Sequence, residues 1–305
     1  MDVAYKVEVI MSTYNGMSYV GRQLDSILNQ EGVDVHITIR DDGSKDSTIS
    51  VLKSYEARYP DRISIIIGEN IGYKRSFLSL LLYAKEADYY AFSDQDDIWE
   101  SQKLLCALEL IKSKDKVLYV SNLAICRSDL TEIGVTSFSP QNSSLYSEFV
   151  RHRYAGCTYV FDKQLKFIVS AFANLDLPTE QMPSHDSLIA RCAYACGDVV
   201  VDSNTYIKHI RYDHSVTTKS NNLIERIKVE MRSLTTSSMT STTARIILEN
   251  ISEYITNDSY AFLQRIVSYK KSITQWILLL FDSKMTSGIF ICDVLCKLKI
   301  LMRTY

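Results

Sequence analysis

Residues 89–99 read Tyr89-Tyr90-Ala91-Phe92-Ser93-Asp94-Gln95-Asp96-Asp97-Ile98-Trp99, an apolar strand running straight into three carboxylates within four positions. Like charges this close repel unless something neutralises them. Hard oxygen ligands suit Mg²⁺ or Mn²⁺, ions that keep several waters and bind a substrate diphosphate as well. The plain alternative is a solvated acidic turn capping the next helix. The strand before and the Ile-Trp after place these carboxylates at a sheet edge, which favours the metal.

Upstream, a strand, a polar loop and a helix recur three times. Residues 6–11 run into Ser12-Thr13-Tyr14-Asn15-Gly16, and Val20, Leu24, Ile27 and Leu28 then share one helix face. Val33 to Ile39 ends at Arg40-Asp41-Asp42-Gly43-Ser44, with Asp46 or Ser47 as cap of a helix through Tyr55. Ile63 to Ile67 closes on Gly68-Glu69-Asn70 and precedes a helix from about Arg75 to Ala87. This order predicts an α/β fold, a mostly parallel sheet flanked by helices, with ligands at the carboxyl ends of its strands.

After Trp99 the pattern loosens. Helices are expected near 102–112, 165–172 and 185–195, strands at 117–121, 155–161, 199–201 and 206–210, and a loop over 135–147. Beyond Ser215, Leu223, Ile224, Ile227 and Met231 lie on one helix face. Ser233 to Thr243 reads as a linker or mobile turn, and 244–305 as entirely helical. The expected division is an α/β domain over 1–220 and a C-terminal helical appendage over 221–305.

Composition narrows the class. With 46% hydrophobic and 23% charged residues the chain is not a disordered one. A net charge of −2 argues against a protein that coats nucleic acid. The seven cysteines contain no Cys-x-x-Cys pair, and the i,i+4 pairs Cys192/Cys196 and Cys292/Cys296 suit helix faces and reduced thiols better than zinc. No signal peptide and no spanning stretch stand out, so a cytoplasmic protein is expected, with any membrane contact peripheral.

Two further loops carry chemistry. Asp41 and Asp42 are placed to accept from a pyrimidine N3–H or ribose hydroxyls, or else to form a tight turn. Asn70-x-Gly72-Tyr73-Lys74-Arg75 sets two cations at a helix start, where a phosphate is favoured. Neither the dinucleotide-binding nor the P-loop glycine fingerprint is present.

The series Ser-Thr-Tyr-Asn-Gly (12–16), Asp-Asp-Gly-Ser (41–44), Asn-x-Gly (70–72) and Ser-Asp-Gln-Asp-Asp-Ile-Trp (93–99), with Ala155-Gly156-Cys157-Thr158 and His185-Asp186-Ser187 beyond, resembles family 2 glycosyltransferases of the GT-A fold. The Asp-Gln-Asp-Asp-Ile-Trp form is similar to rhamnosyltransferase-like enzymes of bacterial surface polysaccharide assembly. The resemblance spans roughly residues 6–215. It implies a nucleotide-binding sheet, with Thr13, Tyr14, Asn15, Asp41, Asp42, Asn70, Gly72, Lys74, Asp94 and Gln95 on the nucleotide sugar. It also implies Asp94 and Asp96 on Mg²⁺ or Mn²⁺, Asp96 the more direct, and Asp186 as general base of an inverting transfer. The family often ends its site with Tyr-Arg-x-His, whereas this chain has Ile210-Arg211-Tyr212-Asp213-His214. That spacing is one residue longer and weakens His214 as a third metal contact; a surface histidine fits as well.

The donor implied is a dTDP- or UDP-sugar, with dTDP-rhamnose foremost. The acceptor implied is a growing glycan, lipid-linked. The readings set against this are a sugar nucleotidyltransferase, which lacks its Gly-rich basic signature here, and an inactive sugar-binding scaffold. Residues 260–305 hold Arg265, Lys270, Lys271, Lys284, Lys297, Lys299 and Arg303 against Asp282 and Asp293, and they contain Trp276 to Phe281 and the mostly apolar Ile289 to Met302. Basic apolar helices of this kind suit the anionic inner face of a plasma membrane, or a homodimer or intramolecular contact.

Overall fold

The computed structural model describes residues 5–138, 143–211 and 239–305. Its first half alternates β1 (Tyr5–Thr13), α1 (Val20–Leu28), β2 (Val33–Asp41), α2 (Thr48–Arg58), β3 (Ile63–Ile67), α3 (Tyr73–Tyr83) and β4 (Tyr89–Ser93). Then come β5 (Ile98–Trp99), α4 (Lys103–Ile111), β6 (Val117–Cys126), β7 (Glu132–Val135), α5 (Leu145–Val150), β8 (Val160–Asp162), α6 (Lys163–Val169), α7 (His185–Cys196) and β9 (Asp198–Ile210). Four more helices follow: α8 (Thr240–Ile251), α9 (Asn257–Ser268), α10 (Ile273–Leu280) and α11 (Phe290–Leu301).

One sheet runs β3-β2-β1-β4-β8-β6-β9-β5, with β7 on β6. The strands from β3 to β4 are parallel, and β6 is parallel to β9. The short pairings of β8 with β4 and β6, and of β5 with β9, are antiparallel. The chain leaves β1 toward β2 and β3, then returns to β4 on the opposite side of β1. A ligand crevice opens where the direction reverses in this way. The strand ends align there, since Thr13 faces Asp41, Asp41 faces Ile67 and Met11 faces Ser93.

Period-2 alternation divides the core between the two faces of the sheet. Val7, Val9, Met11, Tyr89 and Ala91 point to the face covered by α1 and α4. Ile10, Tyr90 and Phe92 point to the face covered by α3, α6 and α7. Because both faces are covered, the strands read as unbroken apolar runs. The C-terminal helices extend the second face: Ile247, Phe262, Leu263 and Ile266 share one apolar cluster with Phe77, Phe92 and Leu188. The Phe262 ring lies 4.0 Å from that of Tyr146, and the Tyr305 hydroxyl donates to Phe149 O at 2.8 Å. Packing on the α/β body is therefore built into the inner side of these helices.

Several expectations are corrected. Helix α3 ends at Tyr83, because Ala84 turns to ψ 129°. Residues 155–161 form a 3-10 turn at Gly156–Thr158 before the short β8. The two short strands at 199–201 and 206–210 are one strand, β9, whose pairing with β6 shifts register midway. The 135–147 loop includes the end of β7 and the start of α5, whose capping box joins Ser144 to Ser147. Thr240 to Thr243 belong to α8, and 244–305 is four helices with turns between them. Leu223, Ile224, Ile227, Met231, residues 233–238 of the linker, His214 and the boundary at 220/221 lie outside the described residues. All seven cysteines are free thiols.

Candidate active site

The loops after β1, β2, β3 and β4 converge at one sheet edge, and their side chains hold one another. Gln95 takes the backbone of Tyr14 in both directions: Tyr14 N donates to Gln95 Oε1 at 2.9 Å, and Gln95 Nε2 donates to Tyr14 O at 3.1 Å. Gly16 is needed beneath this bridge, since a Cβ there would stand 2.2 Å from Gln95 Oε1. The Tyr14 ring is left 45% exposed at the rim. Asn15 N donates to Ser44 Oγ at 2.9 Å, and Asn15 Oδ1 accepts from Lys45 N at 2.8 Å.

Asp41 and Asp42 are both buried, with oxygens engaged inside the protein. Asp41 accepts from Thr13 Oγ1 at 3.0 Å and from the Ser44 backbone and hydroxyl at 2.8 and 2.6 Å. Asp42 pairs with Arg40 and accepts from Ile71 N and Gly72 N, each at 2.9 Å. They brace the loops rather than present free oxygens. The two cations near the α3 start are also occupied. Lys74 Nζ donates to Met182 O at 2.7 Å, and Arg75 donates to Leu177 O, so they fasten the 175–182 segment instead of facing the mouth. Asn70 is exposed.

The acidic motif is more tightly organised than its sequence reveals. Ligand oxygens of Asp94 and Asp97 lie with the Cys157 sulfur in a group within 4.8 Å, to which Asp96 does not belong. Asp97 is buried; Oδ1 lies 2.8 Å from His209 Nδ1, and Oδ2 has no partner. Burial, reinforced by Asp97 and Asp96, pushes the Asp94 carboxyl well above the ordinary range. Burial and Asp97 lift Asp96 to about 6. Beneath them Lys103 is fully buried over the Trp99 ring at 3.6 Å, and burial lowers it to about 7. An orphaned buried oxygen beside clustered carboxylates is an arrangement that a hard cation would satisfy. The oxygens of Asp94 and Asp97 lie close enough together to fit Mg²⁺ or Mn²⁺, and Asp96 stands beside them, outside that group. Burial and the adjacent carboxylates push the Cys157 thiol well up, and Mg²⁺ and Mn²⁺ prefer oxygen ligands to sulfur.

Opposite stands Asp186, in the first turn of α7. Its Oδ1 accepts from Ser187 N at 2.7 Å, while Oδ2 lies 3.6 Å from His152 Nε2. Burial alone would raise this carboxyl, but His152, with Ser184, outweighs it and holds it far below the usual range. Gly156 lets α7 approach: a Cβ there would meet His185 Nε2 at 3.0 Å and Asp186 Cβ at 3.1 Å. His185 is an aromatic core residue, stacked on Phe77 at 4.1 Å and kept neutral as burial lowers it to about 4. Tyr73, 57% exposed, lies within the fields of both Asp186 and Asp94, which add to burial in raising its phenol. The site thus brings together Thr13, Tyr14, Asn15, Gln95, Asp94, Asp96 and Asp186.

His209, Glu148 and His152 carry no motif in the sequence, and Asp97 stands there only as one of the three clustered carboxylates. For His209 a signal existed. Ile98 faces Lys208 and Trp99 faces Ile207 across the β5–β9 ladder, so continuing that register sets Asp97 against His209. The pairing is legible only once β5 and β9 are known to be neighbours.

The family model of Glycosyl transferase family 2 matches residues 8–173, more than half of the chain. The chain belongs to that family. It is 32% identical over 173 residues to the dTDP-rhamnosyl transferase RfbG of Shigella flexneri, an alignment covering 52% of this chain and 58% of that enzyme. The chain therefore matches little more than half of that relative's length. Among solved structures it resembles Staphylococcus aureus TarS 1–349 in complex with UDP (TM-score 0.54, 15% identity, covering 96% of this chain and 89% of that one). It also resembles the mannosyltransferase PcManGT of Pyrobaculum calidifontis in complex with GDP-Man and Mn²⁺ (TM-score 0.52, 14% identity, covering 100% and 89%). These likenesses establish the GT-A fold.

Proposed function

We propose that this protein is a metal-dependent inverting glycosyltransferase that moves a sugar from a nucleotide donor, foremost dTDP-rhamnose, to a lipid-linked glycan of the cell surface. The observation that carries the reading is the pair of opposed acidic groups, Asp94–Asp96–Asp97 at the end of β4 and Asp186 at the start of α7. The first supplies the oxygens for a divalent ion, which when bound neutralises a diphosphate leaving group. The second is an ionised carboxylate placed to take the proton of an acceptor hydroxyl as that oxygen attacks the anomeric carbon. Tyr14 offers an exposed ring to the nucleobase, and Thr13, Asn15 and Gln95 shape the ribose side. Asp41, Asp42 and Gly72 act through the loops they hold. The 32% identity to a dTDP-rhamnosyl transferase supports the donor. Titration calorimetry with UDP, dTDP and GDP, with and without Mn²⁺, tests the site. Metal-enhanced binding of one nucleotide is expected; no binding of any would refute it.

Gly156→Ala probes the approach of α7 independently. The added methyl must displace His185 or Asp186 by a few tenths of an ångström. We expect ~10-fold lower transfer with a stability loss of about 1–3 kcal/mol, read from kcat and urea midpoints.

The outer face of α10 and α11 supports contact with lipid. Phe281 is 77% and Phe290 82% exposed, and an open groove of about 480 Å³ runs between the helices past Val294, Leu298 and Leu301. Lys270, Lys271, Lys299 and Arg303 lie on or beside these helices. No helix among the described residues is long and apolar enough to cross a membrane. Contact would be interfacial, at the inner leaflet. Flotation with anionic vesicles should carry the full chain. A Phe281→Ser/Phe290→Ser variant should stay behind, and equal flotation of both would defeat the proposal.

A further inference from the structure

Behind the proposed base stands a second acidic group that the reaction scheme does not use. Glu148 is completely buried in α5, and its Oε2 lies 2.7 Å from Nδ1 of His152, four residues on and just past the end of the helix. The opposite ring nitrogen of His152 faces Asp186 Oδ2 at 3.6 Å. Carboxylate, imidazole and carboxylate therefore stand in a row, with Nδ1 hydrogen-bonded to Glu148 and Nε2, which has no hydrogen-bond partner, beside Asp186. Nothing in the packing of a helix start requires such a row, since Ser187 N already satisfies Asp186 Oδ1.

We propose that Glu148 and His152 are positioning residues for the reaction, Glu148 orienting the His152 ring and His152, as a cation, holding Asp186 aimed and charged beside the other carboxylates of the site. The inference rests on reading Asp186 as the base. Burial would push the His152 imidazole down, yet Asp186 and Glu148 outweigh it and lift it to about 9, so the cation persists at neutral pH. The other groups near the row do not replace it. His185 is neutral, Tyr73, Tyr159 and Tyr194 are phenols raised by burial, and the raised carboxyl of Asp94 offers no positive charge. The Arg191 guanidinium is spent on Glu148 O at 3.1 Å and on the Phe149 ring. Without the His152 charge, burial would govern Asp186. Its carboxyl would then rise, and the base would be lost as pH falls through a higher value.

The experiment uses the full chain and two variants, His152→Gln, which keeps polarity but removes the cation, and Glu148→Gln. His152 borders a polar cavity of about 250 Å³, so the exchange has room. Two readouts are taken: the pH profile of sugar transfer, and the ¹³C titration of the Asp186 side-chain carboxyl by NMR. In His152→Gln the acid limb of kcat/KM and the Asp186 titration should both move up by at least about one pH unit, a tenfold change in proton affinity. Binding of the nucleoside diphosphate should not change. In Glu148→Gln the His152 ring titration should move down by a similar amount. A pH-independent fall in kcat with an unmoved Asp186 titration would overturn the proposal and leave His152 a packing residue. The NMR readout needs no turnover. Wild type that transfers no sugar while His152→Gln shifts Asp186 would thus refute the glycosyl-transfer reading and leave the row intact.

Discussion

Asp186→Asn should retain nucleotide binding and lose at least ~10²-fold in kcat, the usual worth of a positioned general base. The amide keeps the size of the carboxylate and can stay at the helix start where Ser187 N fixes the native oxygen. It cannot take a proton. Because the native carboxyl is held far below its ordinary range by His152 and its neighbours, Asp186 should stay ionised in mild acid, and any acid loss of wild-type activity there should follow metal binding instead. A variant with near-normal kcat would reduce Asp186 to a helix-start residue and move the base elsewhere.

The second large effect lies at the opposite wall. Asp96→Ala and Asp94→Ala should each lower transfer by about 10³-fold, the scale of several kcal/mol of charge stabilisation. Excess EDTA should do the same to wild type. The stability effect runs the other way. Asp94 and Asp96 have raised carboxyls in the folded state, so the metal-free protein loses stability as pH rises from about 4 through the folded values, near 6 for Asp96. Asp94→Ala should therefore melt no lower than metal-free wild type at pH 8. Mn²⁺ should raise the wild-type melting temperature more at pH 8 than at pH 5, since the ion binds the deprotonated oxygens. Full transfer in EDTA, or a Mn²⁺ effect equal at both pH values, would contradict this account of the cluster.

The first half of the fold was legible because each signal there is local. Val7 to Met11 and Val33 to Ile39 are apolar runs that end in polar turns, and Val20, Leu24, Ile27 and Leu28 mark a helix face. The second half depends on long-range pairing. Val199–Val201 and Tyr206–Ile210 look like separate strands because the polar 202–205 stretch between them is exactly where β9 shifts register against β6. α5 is six residues long, and the capping box of its N-cap Ser144 has Ser147 at the third position rather than the usual Glu or Gln, so its start carried no strong signal. The motifs told which residues gather but not how they are used. Asp41, Asp42 and Lys74 carry the right chemistry for a ligand, yet Ser44, Gly72 and Met182 engage them inside the fold. Glu148 and His152 were invisible for the opposite reason. Their partner Asp186 lies more than thirty residues downstream, and only the packing of α7 against the 156–158 turn brings the three together.

The account turns on whether sugar moves from a nucleotide with inversion. The purified chain, Mn²⁺ and a panel of dTDP-, UDP- and GDP-sugars, followed by ¹H NMR of the anomeric proton and by release of nucleoside diphosphate, reads this directly. The account predicts that one donor, foremost dTDP-rhamnose, is consumed in a metal-dependent reaction whose product carries the opposite anomeric configuration. Retention of configuration, or no release of nucleoside diphosphate from any donor with the metal present, would contradict it.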